Sequence, residues 1–179
     1  TARPQTATSP GWEGILDAGE SVLWQGRPDG KLTFGLSDAA QGLFGLAFAA
    51  FALFWMIMAS TAGGYFWAFG LIHFSVGVGL AIGGPLARTF RLRRTWYTLT
   101  TRRAFIASDT LISGRSLAAY PINADSTLAL VEGSPGTVYF AEVTRRSKNG
   151  SRNVPLGFER IHDARDVLAQ MRAIQKEAK

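Results

Sequence analysis

Few residues in this sequence are equipped for catalysis. It has two histidines, His73 and His162, and no cysteine. That removes thiolate nucleophiles, disulfides, iron–sulfur clusters and thiolate zinc sites together. No Gly-x-Ser-x-Gly elbow, His-Glu-x-x-His pair or Gly-Lys-Ser/Thr phosphate loop occurs. Asp163 and Asp166 stand at the start of a helical pattern, where capping and the helix dipole account for both carboxylates. His73 sits in an apolar stretch, and an ionisable residue there is a functional candidate by default. A bis-histidine haem would need a second histidine at that depth, yet His162 lies in the polar part of the chain. The reading is therefore of a protein without catalytic, metal or cofactor residues, with His73 hydrogen-bonding a neighbouring helix.

The remaining chemistry is electrostatic. The net charge is +6, carried mostly by arginine. Arg88, Arg91, Arg93 and Arg94 form one cluster, followed by Arg102 and Arg103. A second runs from Arg145 to Arg152 and reads as an exposed, polar hairpin tip or loop that is either solvated or facing an acidic partner. Basic residues of this kind suit membrane topology and anionic lipid headgroups. Nucleic acid is not expected, because no aromatic–basic platform accompanies the charge.

The elements that position these residues follow from the apolar pattern. From Ala39 to Ala87 there is no Asp, Glu, Lys or Arg. A single helix of that length would run about 70 Å, whereas the hydrocarbon core of a bilayer is about 30 Å thick. The stretch must fold back, and Ser60-Thr61-Ala62-Gly63-Gly64 supplies the turn. Two membrane helices are predicted, about 40–59 and 65–87, apolar on every side. Tyr65 and Trp67 fall where an interfacial aromatic belt belongs. Basic residues flank both outer ends, Arg27 and Lys31 before and the arginine cluster after. The positive-inside rule then puts both termini in the cytoplasm.

The helices carry two stripes. Phe44, Phe48, Phe51 and Trp55 make a bulky one, facing lipid or a partner. Ser75, Gly79 and Gly83 make a small-xxx-small run, with Gly45 and Ala49 as a matching groove. Such runs allow close backbone approach, either within the hairpin or onto another membrane protein.

After Arg94 the pattern changes to short β-like runs: Thr95–Thr100, Arg103–Ala107, a weaker Leu111–Ala119, Thr127–Val131, Thr137–Val143 and Val154–Phe158. Glu20–Pro28 reads as one more strand ahead of the hairpin, able to pair with those after Arg94. Residues 1–15 read as a polar tail with no secretory signal, and residues upstream of Thr1 remain open. A C-terminal amphipathic helix over 163–177 presents Ala164, Val167, Leu168, Met171 and Ile174 on one face. The expected organisation is thus 16–38 as a pre-membrane segment, 39–87 as the hairpin and 88–179 as a cytoplasmic domain.

The order of these pieces resembles the bacterial PH-like domain membrane proteins. The matching segments are Gly19-Glu20 with Val22–Pro28, Tyr97–Ala104, Gly136-Thr137-Val138 and Gly157–Ala164, disposed around a membrane pair. The resemblance implies an α+β membrane protein of the bacterial inner membrane. Its hairpin would carry a small PH-like antiparallel β-barrel or sandwich, seven-stranded and capped by the C-terminal helix. It implies a non-enzymatic binding module; phosphoinositide recognition does not carry over, because no matching basic loop aligns. The function expected is an accessory subunit docked on a larger membrane complex and contacting membrane lipids. The alternative is a lipid- or peptide-binding sensor at the inner leaflet.

Overall fold

A computed structural model describes residues 11–110, 114–147 and 150–178. The tail before Gly11, the start of the predicted Leu111–Ala119 strand, and Lys148-Asn149 of the second basic cluster lie outside these residues. The fold is α+β and divides into two units: 30–90, and 1–29 with 91–179.

The first unit is a helical hairpin. Helix α1 spans Leu36–Ser60 and α2 spans Gly70–Arg93, with a 3-10 turn over Phe66–Phe69. Helix α1 starts earlier than the apolar run suggests. The Asp38 carboxylate accepts the Gly35 N–H at 2.9 Å and so caps the helix at Gly35, four residues before Ala39. Helix α2 also outruns its apolar stretch, reaching Arg93 with Arg91 and Arg93 in its last turn. Cations at a helix C-terminus are stabilised by its dipole. Between the helices the chain reverses at Gly63 and Gly64, with φ of 78° and 74°. Only glycine adopts that backbone readily.

Both helices are long and apolar enough to cross a membrane. They bury little against each other: 17 % of the most apolar window of α1, and 11 % of that in the span over Phe66–Arg93. Leu43, Phe51, Phe54, Phe66 and Ile72 all point outward.

The second unit contains seven antiparallel strands among the described residues, in two open sheets. The first sheet has the order β1 (Val22–Gly26), β2 (Thr95–Thr100), β3 (Arg103–Thr110), β4 (Gly114–Pro121). The second has β5 (Ala129–Val131), β6 (Gly136–Ser147), β7 (Gly150–Ile161). Strand β1, although it precedes the hairpin in sequence, pairs with β2, which follows it: Gln25 lies opposite Thr98 and Gly26 opposite Tyr97. The sheets are open, so no closed barrel forms. Within the stretch that reads as a polar loop or hairpin tip, the described residues Arg145–Ser147 and Gly150–Asn153 are strand: they extend β6 and β7, with Arg145 opposite Arg152 and Ser147 opposite Gly150.

One core joins both sheets and the C-terminal helix α3 (Ala164–Glu177). Tyr97 and Leu99 come from β2, Val138 and Phe140 from β6, Phe158 and Ile161 from β7, and Val167 and Met171 from α3. Phe158 stacks on Tyr97 at 4.7 Å between centroids and meets Phe140 edge-on at 5.0 Å. Burying an aromatic or large aliphatic side chain contributes roughly 1.5–3 kcal/mol each. Asp163 stands at the N-cap of α3, but its carboxylate makes no cap hydrogen bond. Instead it accepts the Trp24 indole N–H at 3.3 Å, tying β1 to the helix start.

Candidate functional site

In the hairpin the helices approach along small residues. Gly45 and Ala49 of α1 are buried, and their counterparts on α2 are Gly77 and Ala81. A Cβ on Gly45 would stand 2.7 Å from the Gly77 carbonyl oxygen and 2.9 Å from the Ala81 Cα. One on Gly77 would stand 2.6 Å from the Ala49 nitrogen. The expected groove on α1 is therefore present, but its partner is not the Ser75, Gly79, Gly83 run. Gly79 and Gly83 have nothing within 4 Å of a built Cβ, and Ser75 is exposed. At 100° per residue these three lie on the side of α2 opposite Gly77 and Ala81. The hairpin thus has an inner small-residue seam and an outer small-residue stripe.

The bulky stripe divides as well. Phe44 and Phe51 are exposed, while Phe48 and Trp55 turn partly inward. Phe44 stacks on Phe48 at 6.4 Å, and Trp55 meets Phe66 and Phe69 at 5.2 and 6.5 Å. Phe48, Phe51, Trp55, Phe69 and His73 line a cleft of about 280 Å³. The His73 Nδ1 lies 3.4 Å from the Phe69 carbonyl, so its hydrogen bond is to the 3-10 turn that leads into α2 and not to α1. Its ring sits 5.2 Å from Phe69 and 6.3 Å from Phe48.

The arginines take different places. Arg88 pairs with Asp38 at 3.4 Å, joining the outer ends of the two hairpin helices. Arg91 pairs with Glu159 of β7 at 3.1 Å. Arg93 and Arg94 also have partners. Arg102 is exposed at the β2–β3 turn.

Arg103 is committed inward and so is not offered to a headgroup. Its guanidinium pairs with Glu20, whose side chain is fully buried, and with Asp17 at 3.2 Å. It also lies over the Phe105 ring at 5.1 Å. The Thr100 hydroxyl donates to Glu20 Oε1 at 2.5 Å and accepts the Arg103 N–H at 2.9 Å. The Asp17 N–H donates to Glu20 Oε2 at 2.9 Å. Burial alone would raise the Glu20 carboxyl, but the bonds from Arg103, Thr100 and the Asp17 backbone outweigh it and hold it at about 2. This network clamps the segment before β1 onto the β2–β3 turn. Sequence reading missed Glu20 as its centre, because its side-chain partners Thr100 and Arg103 lie 80 and 83 residues away.

Among the described residues no three His, Asp or Glu side chains are grouped to hold a metal ion. Comparison of the chain with family models, curated proteins and solved structures finds no match.

Proposed function

We propose that the chain is a non-enzymatic, membrane-anchored accessory subunit that docks on a larger membrane protein complex. The observation that carries this reading is the outer surface of the hairpin. A hairpin destined for a soluble core would bury most of its apolar surface inside the protein, and this one buries little. Lipid suits that surface, and so does a helical partner. The inner seam already holds α1 to α2, so the outer stripe of Ser75, Gly79 and Gly83 is not spent on the hairpin itself. It is the face we assign to the partner; Phe44 and Phe51, exposed on α1, are a separate bulky surface for lipid or a second contact.

In this reading the membrane is the bacterial cytoplasmic one, the span is multi-pass, and both termini are cytoplasmic. Basic residues at both outer ends and a charge-free turn support that orientation. The seven strands and closing α3 support a PH-like module as the second contact on the complex. The buried Glu20–Arg103 network supports a binding scaffold over an enzyme, since its polar groups are consumed by each other.

Purification of the tagged chain in mild detergent, followed by native mass spectrometry, tests the proposal. A membrane protein retained in fixed stoichiometry is the expected result. A clean monomer under conditions that preserve other membrane complexes would overturn it.

A further inference from the structure

Strands β6 and β7 run on past the core of their unit. Val143 and Val154, paired across the ladder, are the last partly buried residues. Beyond them the described residues are Thr144–Ser147 and Gly150–Asn153, four on each strand, or about 13 Å of ribbon at 3.3 Å per residue. The base of this arm is braced: the Thr144 hydroxyl donates to Asn153 Oδ1 at 2.9 Å, and the Asn153 amide donates to Glu142 at 3.4 Å.

The charge on the arm is one-signed. Arg145, Arg146 and Arg152 are exposed, and no acidic residue occurs from Val143 to Phe158. None of the three makes an ion pair among the described residues. Arg145 and Arg152 are direct cross-strand partners. Like charges placed directly opposite destabilise a ladder. A feature that works against its own strand pairing invites a partner that supplies the missing anions.

We infer that the β6–β7 arm is an electrostatic contact for anionic phospholipid headgroups. Three observations select lipid over an acidic protein. Side chains alternate along a strand, so Arg145 and Arg152 share one face of the ribbon and Arg146 occupies the other. A headgroup layer surrounds an inserted ribbon and meets both its faces, whereas a flat protein surface meets one. The arm also has no apolar or aromatic residue past Val143 and Val154, so its arginines lack the packed, water-excluding surround that makes an arginine an anchor of a protein interface. Finally, α2 passes into β2 through Arg94 alone. In the membrane-anchored reading, on which this inference rests, that short link keeps the unit where anionic headgroups are the most concentrated polyanion.

The absence of cysteine makes the test direct. Ser151→Cys provides one attachment point for a fluorophore on the full chain. The labelled protein is incorporated into nanodiscs of phosphatidylcholine alone, or of phosphatidylcholine with phosphatidylglycerol, each with a trace of lipid carrying a headgroup quencher. Quenching should be strong with phosphatidylglycerol, weak without it, and relieved by high salt. Each basic group near an anionic surface changes occupancy by about fivefold, so R145Q/R146Q/R152Q should cut the docked-to-free ratio on the order of 100-fold. That variant should unfold at the same or a higher temperature, which separates loss of docking from loss of fold. Equal quenching in both discs would overturn the inference while leaving the anchored reading intact. So would a fluorophore that ignores lipid composition but responds to added polyglutamate or duplex DNA. A chain that does not enter the discs at all would overturn both.

Discussion

Glu20 is where the energetics of single residues are sharpest. Its carboxylate is buried, yet it is held at about 2 in the folded protein against an ordinary 4.5. A carboxyl whose pKa falls on folding adds stability above its unfolded value. That stability drains away as pH drops through the folded value. The window is therefore pH 4.5 down to 2, and the shift corresponds to about 3 kcal/mol. Glu20→Gln should destabilise the β-sheet unit by about that amount at neutral pH and flatten the acid limb of its stability profile. Chemical denaturation followed by Trp fluorescence across pH checks both. An unchanged acid limb would mean the carboxylate is not clamped. Arg102 and Arg103 read alike in the sequence. What separates them is a carboxylate 83 residues from Arg103, and no local pattern reports a partner that far away. His73 teaches the same lesson: its place in an apolar run is legible, but the choice of Phe69 as acceptor depends on a rotamer.

Among the elements, the two phases of small residues on α2 carry opposite expectations. Gly77→Leu forces a side chain into the α1 backbone at Ala49 and should cost about 1–3 kcal/mol through overpacking. It should loosen the hairpin, seen as a lower unfolding temperature in detergent. Gly79→Leu meets open space, should leave the hairpin intact, and should instead reduce the yield of the co-purified partner. A partner lost equally with both variants would show that hairpin integrity, not the outer stripe, governs docking. Spacing of four recurs in Ser75-Gly79-Gly83 and in Gly77-Ala81, and periodicity cannot say which phase faces α1. The face of α3 was easier. Ala164, Val167, Leu168, Met171 and Ile174 differ so plainly from Arg165 and Arg172 that one stripe alone can be buried, and those five are. The hairpin between β6 and β7 was legible, but the extension of its strands past Val143 and Val154 was not, for a physical reason. Ladder hydrogen bonds use the backbone, so Thr144–Ser147 pairs as strand without the apolar alternation by which strands are recognised in sequence.

For the whole molecule, the governing fact is that the hairpin interrupts one folded unit. Strand β1 lies before α1, its neighbour β2 lies after α2, and Asp29 donates its backbone N–H to the Arg160 carbonyl at 2.7 Å. The apolar centre of Glu20–Pro28 made a strand there legible, but the order of the two sheets depends on long-range pairing that no segment encodes by itself. This interruption constrains topology independently of charge. Segments on both sides of the hairpin belong to one sheet, so they cannot end up on opposite sides of a bilayer without breaking β1 from β2. If α1 and α2 span the membrane, an even number of crossings is enforced by the fold, and the basic flanks decide only which side. The cysteine-free chain allows that to be read with two single substitutions at exposed sites, Ala62→Cys in the turn and Ala173→Cys on the outer face of α3. In intact cells, a membrane-impermeant maleimide should modify Ala62→Cys and spare Ala173→Cys until the membrane is opened. Reversed labelling would keep the hairpin and refute the charge argument. Labelling of both sites in intact cells, or of neither, would contradict a hairpin that spans the membrane, whatever its orientation.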